Sequence, residues 1–271
     1  MVGESEIDLF YIDGELSHGY VDEDLATVKN IKGIFGPSNI RWEKEMNYST
    51  PLEFSSKKAK RTEKAIEYIL ANGYEIIEQN PIGQATYSEW YELYKANINN
   101  KEIGVIHLQE DWLIANPTVT STGLFIKQNG KIIAGIILIE EKVKQSFQCA
   151  FRAHVYEKVK DSSIAEILEY MIDQFAINHS YKLITRGTDP NIYGVRLKAS
   201  LNDFKKQYGF VAKPLDYKGH YHPRYLIFFK EYEEILTYTY KDKSVNTDIE
   251  EKVFTKEELA QYTYPASILG S

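Results

Sequence analysis

The chain's 271 residues suffice for one large domain or two modest ones with a full core, and its 39 acidic against 32 basic residues exclude a global field that attracts nucleic acid. Any RNA contact therefore needs a local basic patch. Cys149 is the only cysteine, no apolar run approaches the ~20 residues that span a bilayer, and the start M-V-G-E-S-E-I-D has no basic stretch leading into an apolar one. A cytoplasmic protein without membrane insertion is expected.

In chain order, Ile7 to Ile12 followed by Asp13-Gly14 reads as a strand and turn, and Ile31 to Pro37 as a glycine-punctuated strand or loop. Neither carries a chemical motif. Ser55 or Ser56 caps a helix running to about Ala71, with Ala59, Thr62, Ile66, Ile69 and Leu70 on its less polar face and Asn72-Gly73 as its stop. Tyr74 to Gln79 reads as a strand halted by Asn80-Pro81. Thr86 and Glu89 have capping-box spacing before a helix through Ile98, and a shorter helix is expected around Leu108 to Ala115.

Leu124 to Lys127 and Lys131 to Ile139 flank Asn129-Gly130, a hairpin signal. The run I-I-A-G-I-I-L-I is apolar on both faces, as a central strand is, and Gly135 within it marks a bulge or a close backbone approach. Gln145 to Tyr156 supplies a third antiparallel strand. Ser163 and Glu166 form another capping box, and Ile164, Ile167, Leu168, Met171, Ile172, Phe175 and Ala176 follow at helical spacing. Tyr181 to Thr185 is a strand, Arg186 to Tyr193 a polar loop, Ser200 to Tyr208 a short helix, and Tyr225 to Phe229 a last strand. A tyrosine-rich tail ends in a capped helix at Thr255 to Glu258. This order is that of an α+β protein with a mixed sheet flanked by helices.

The element order resembles the GNAT acyltransferase fold, and three segments are similar to its Fem-type aminoacyltransferase (FemAB-like) branch. They are S-S-K-K-A-K-R-T-E-K-A from Ser55, the long helix from Ser163 leading into Tyr181 to Gly187, and L-N-D-F-K-K-Q-Y-G-F from Leu201. The resemblance covers about Ser55 to Pro214. It implies a GNAT-like acyltransferase domain at 73–232, a shortened amino-terminal GNAT-like unit with the basic helix at 1–72, and a carboxy-terminal extension at 233–271. One departure stands out. The turn E-K-V-K-D-S-S from Glu157 has no glycine, whereas acetyl-CoA enzymes of the fold cradle the pyrophosphate there on backbone amides. The free amides expected at the start of the Ser163 helix still offer an anion site.

The resemblance implies acyl or aminoacyl transfer to an amine. This needs a neutral amine, close positioning and donors for an oxyanion, but no protein nucleophile. Lys205 matches the family's motif lysine and would stabilise the donor carbonyl, with Phe204 positioning it or lining the pocket. Read from the residues alone, Ser200 and Asp203 cap that helix, Gly209 stops it, and Lys205 and Lys206 can equally face water. Asp189 can accept the amine's proton or simply belong to a turn, and Asn191, Tyr193 and Arg196 suit a substrate rim. Arg152 and His154 alternate on one strand and share a face, which the resemblance sets beside the acceptor and which can equally face solvent. Lys58 and Arg61 belong to the one concentrated basic patch, which can hold phosphates, a tRNA acceptor end or only solvent.

No permanently bound cofactor is expected. The resemblance implies acyl-CoA or aminoacyl-tRNA as donor and a peptidoglycan-precursor or small-molecule amine as acceptor. His220 and His222 have no third partner, so no metal is expected. Two other functions fit the same residues: a non-catalytic GNAT-like module binding a nucleotide-linked ligand or a protein, and a tRNA-binding accessory protein. The last predicts RNA affinity that falls steeply with salt.

Overall fold

The computed structural model describes residues 9–13, 30–37, 39–46, 56–100, 106, 108–191, 193, 197–214, 223–228, 233–241, 248–261 and 263–265. Two compact units divide the chain: Met1–Trp42, Thr188–Lys206 and Phe210–Ser271 make one, and Glu43–Gly187 with Gln207–Gly209 the other.

The first unit contains β1 (Leu9–Asp13), β2 (Asn30–Pro37) and the first half of β3 (Asn39–Glu45). The second takes the rest of β3 and then α1 (Ser56–Ala71), whose buried stripe is Thr62, Ala65 and Ile69. Leu70, expected on that face, is 55% exposed, because the stripe is rotated toward the i, i+3, i+7 positions. Strand β4 (Tyr74–Gln79) matches its predicted bounds. Helix α2 (Gln84–Asn99) has its N-cap at Gly83, three residues before the expected Thr86. Glu89 does not cap it: its carboxylate accepts from the Ile132 amide at 2.6 Å, so a sheet contact displaces the local one. α3 is a single turn, Trp112–Ala115.

β5 (Ser121–Gln128), β6 (Lys131–Glu141) and β7 (Ser146–His154) form the expected antiparallel run. Asn129 and Gly130 both take positive φ, 51° and 77°, as a two-residue hairpin of this type requires. Gly135 is a site of close approach and not of a bulge. A Cβ there would lie 2.4 Å from the Phe125 ring and 2.7 Å from Trp90, while the register shifts at Ile126/Lys127. The aromatic side chains of E-W-Y-E-L-Y, from Glu89, belong to the core. Trp90, Tyr91 and Tyr94 are buried, and Trp90 stacks on Tyr94 at 5.5 Å.

A two-rung ladder of β8 (Lys158–Val159) and β9 (Ser162–Ser163) precedes α4 (Ile164–Asn178). The α4 capping box forms, and its predicted apolar face is buried. β10 (Leu183–Pro190) runs parallel to β7 and continues through most of the segment expected as a loop. Polarity misleads here, since Arg186 and Asp189 find buried ionic partners and tolerate a strand interior. Within the second unit the strand order is β10-β7-β6-β5-β4, with β3 on the other side of β10. This mixed sheet flanked by helices is the α+β fold class expected from the sequence.

After β10 come α5 (Ala199–Gln207), β11 (Val211–Pro214), β12 (Pro223–Phe228), β13 (Glu234–Tyr240), β14 (Ile249–Thr255), α6 (Lys256–Gln261) and β15 (Thr263–Pro265). Gly209 sits at φ 80° as the predicted stop, but Ser200 lies inside α5 and does not cap it. The tyrosine-rich tail builds the β13–β14 hairpin, and β1-β12-β2-β15 form a second antiparallel sheet of the first unit. Among the described residues no helix is long and apolar enough to cross a membrane.

Candidate functional site

In the first unit, three of the residues singled out from the sequence meet. Asp189 Oδ2 accepts hydrogen bonds from the Lys205 ammonium, from the Tyr193 hydroxyl at 2.8 Å and from Trp42 Nε1 at 2.9 Å. Trp42 Nε1 also lies 3.2 Å from the Tyr193 oxygen, and Lys205 Nζ stands 5.4 Å from the centre of a Trp42 ring. Residue exposures of 6% for Lys205 and 9% for Asp189 make this a buried ion pair. Burial, then the neighbouring Asp189 carboxylate, hold the Tyr193 phenol above its ordinary range. Tyr193 therefore stays a neutral donor.

Asn191 is fully buried beside this group and grips backbone. Its Nδ2 donates to the Pro37 and Tyr238 carbonyls, each at 2.7 Å, and its Oδ1 accepts from the Tyr238 amide. Phe204 is partly buried, and Arg196 lies outside the described residues.

The second unit assembles a different group. Glu166, Glu169 and Asp173 form one stripe along α4. Glu166 takes Arg61 at 2.6 Å and Lys58 at 3.6 Å, both from α1. Glu169 takes Arg152 of β7 at 2.7 Å and Arg186 of β10. Asp173 takes Lys44 of β3 through both oxygens, at 2.8 and 2.9 Å. Among the described residues, five cations thus meet three carboxylates of α4.

Burial lowers the affinity of Lys58 for its proton despite Glu166 beside it, and lowers that of Arg152 despite Glu169. Arg186 goes the other way. Burial opposes its charge, but Glu169 more than compensates. Lys58 Nζ also stands 4.0 Å from the centre of the Tyr208 ring.

Ser163 caps α4, and three of the amides expected to be free there are engaged. Ser163 N donates to Glu166 Oε2 at 2.9 Å, Glu166 N to Ser163 Oγ at 3.2 Å, and Ile164 N to the Glu157 carbonyl at 3.1 Å. His154 turns Nδ1 toward the Val155 carbonyl at 3.0 Å, which as a hydrogen bond requires the Nδ1–H tautomer.

Four participants went unremarked in the sequence: Trp42, Lys44, Glu169 and Asp173. The alternation of N-I-R-W-E-K-E, with Ile40, Trp42 and Lys44 buried on one face, signals the strand that carries the first two. The acids on α4 were legible as a stripe at i, i+3, i+7 spacing within an otherwise apolar helix.

Asp173 gives a pH signature. Burial raises its carboxyl to about 6, outweighing the Lys44 contact. A folded-state value above the unfolded one means the folded state holds the proton more tightly, so stability is lost as pH rises from about 4 through 6. Asp173→Asn should remove that slope, which the difference in urea midpoints between pH 4 and pH 7 measures. Equal slopes in both proteins would count against it.

Among the described residues no group of three or more His, Cys, Asp or Glu is placed to hold a metal, and His220 and His222 lie outside them. Cys149 is buried, and burial pushes its thiol up to about 12, so it is no nucleophile.

The chain is similar in structure to L-PGS from Bacillus licheniformis, at 16% identity and a TM-score of 0.47 over 73% of this chain and 62% of that one. It is also similar to FemX, at 10% identity and a TM-score of 0.48 over 79% and 65%. A third similar structure is a tandem GNAT protein from the clavulanic acid biosynthesis pathway, at 7% identity and a TM-score of 0.40 over 73% and 54%. The chain spans less than two thirds of the length of each. No family model matches the sequence, and neither does any curated protein.

Proposed function

We propose that the protein moves an acyl or aminoacyl group from a phosphate-bearing donor, acyl-CoA or aminoacyl-tRNA, to an amine acceptor. The observation that carries this reading is the row of cations along α4. In a chain of net charge -7, five basic side chains gather on three acids, and the side chain of Arg61 keeps 41% exposure there. Such a row suits a polyanion, with Lys58 and Arg61 of α1 holding phosphates. The segment L-N-D-F-K-K-Q-Y-G-F supports the same class through its resemblance to the Fem-type signature.

In the reaction, the neutral amine nitrogen bonds to the donor carbonyl carbon while the carbonyl oxygen gains charge. Collapse breaks the carbon–oxygen or carbon–sulfur bond, and the proton shed by nitrogen ends on the departing oxygen or sulfur. Lys205 is assigned as the charge partner of the oxyanion, Tyr193 as a neutral hydrogen-bond donor, and Asp189 as the proton acceptor.

The test is transfer of labelled acyl groups from each donor to a panel of amines that includes peptidoglycan precursors. Lys205→Met should cut transfer by about 10²–10³-fold, with circular dichroism confirming the fold. Unchanged transfer removes Lys205 from the chemistry.

One observation favours a second reading, a non-catalytic module that binds a nucleotide-linked ligand or a protein partner. Lys205 and Asp189 are buried against each other, as an ion pair serving structure would be. That reading predicts saturable ligand binding with no turnover from either donor.

A further inference from the structure

A cavity of about 370 Å³ opens at the carboxyl end of α4, within the second unit. It is separate from the cation row: His179, on its wall, follows Glu166 by thirteen residues, roughly 20 Å along the helix axis. Its volume lies in the range of small-ligand pockets, roughly 300–1,000 Å³.

Glu140, at the end of β6, is the feature that points to a ligand. Its Oε1 accepts from Asn80 Nδ2 at 2.9 Å and from the Thr122 hydroxyl, whereas its Oε2 accepts from the Tyr181 hydroxyl. A carboxylate offers about four acceptor positions, so Oε2 keeps room for one more donor. The three donors come from three separate segments and fix the carboxylate before anything binds.

Lys142 lines the same cavity and makes no ion pair among the described residues. Two other charged side chains nearby are engaged. Lys144 pairs with Glu141 at 2.5 Å, and His179 contacts Glu78 at 2.9 Å. The rest of the lining is uncharged, with Phe175 its one apolar ring. The cavity therefore presents one oriented carboxylate with spare capacity and one ammonium without a counter-ion. The carboxyl end of α4 borders the cavity, and the dipole there favours a cation.

We propose that this cavity binds a small zwitterion of the α-amino-acid kind, its ammonium on Glu140 Oε2 and its carboxylate on Lys142. A simple amine or a simple acid meets only one of the two groups. The site is independent of the transfer reaction and stands whether or not that reaction occurs.

Titration of the full-length protein with glycine, L-serine and L-glutamine, followed by amide NMR shifts of Glu140 to Gln145 and Asn178 to Tyr181, tests this. Saturable binding is expected for at least one amino acid, about tenfold or more tighter than for propylamine or propionate. Lys142→Met should weaken it by about tenfold without changing the melting temperature, because that side chain is exposed. Glu140→Gln should weaken it as well. Should that variant misfold, the Lys142 variant decides alone. Absence of saturable shifts overturns the proposal, as does equal binding of the half-molecules or indifference to Lys142→Met.

Discussion

Glu169→Ala is expected to lower the unfolding free energy by about 3–5 kcal/mol, read as a fall in the urea midpoint with little change in slope. Glu169 is 2% exposed and accepts from two guanidiniums, those of Arg152 and Arg186, which its removal leaves side by side in a water-poor interior. The cost is that of stranding buried charge, and it exceeds what the bridge contributes over an apolar replacement. Adding Arg186→Met should therefore recover part of the loss, with a coupling of about 0.5–3 kcal/mol. A single-variant loss under about 1 kcal/mol would mean that water reaches the guanidiniums and the row is effectively a surface feature.

Asp189→Ala is expected to cost a similar amount, about 3–5 kcal/mol. Lys205 loses its carboxylate in a site only 6% exposed, and both Trp42 Nε1–H and the Tyr193 hydroxyl lose their common acceptor. The double variant Asp189→Leu with Lys205→Met separates charge from packing. It should be more stable than Asp189→Ala alone, because neither ion remains to be desolvated. If the two variants melt together, the ammonium is not what makes the aspartate necessary. This comparison also bears on function, because a pair kept only for stability tolerates the apolar exchange in binding assays, whereas transfer chemistry does not.

The periodic parts of the fold were legible in the sequence. β4 needed only its flanking turn residues, the β5–β6 hairpin its Asn129-Gly130, and α4 its capping box and apolar stripe. Local chemistry settles such elements, so a short window contains the answer. Errors arose where distant contacts overrode local signals. The Thr86–Glu89 box yields to a bond between Glu89 and the Ile132 amide, and the polar run after Thr185 continues as strand because its charges find buried partners.

The candidate site was half legible for the same reason. Lys205, Asp189 and Tyr193 sit close in sequence and could be suspected together. Trp42 reaches the same carboxylate from 147 residues away, which no window reports. Lys44 and Asp173 are likewise 129 residues apart, joined only by the packing of β3 and α4.

The lone thiol of Cys149 lies on β7, opposite Leu138 of β6 and beside Arg186 of β10 in register. An alkylating reagent cannot reach it while those neighbours stay in place, and the chain offers no other sulfhydryl to compete. Its labelling rate is therefore a built-in clock for sheet opening, readable by mass spectrometry without introducing a probe.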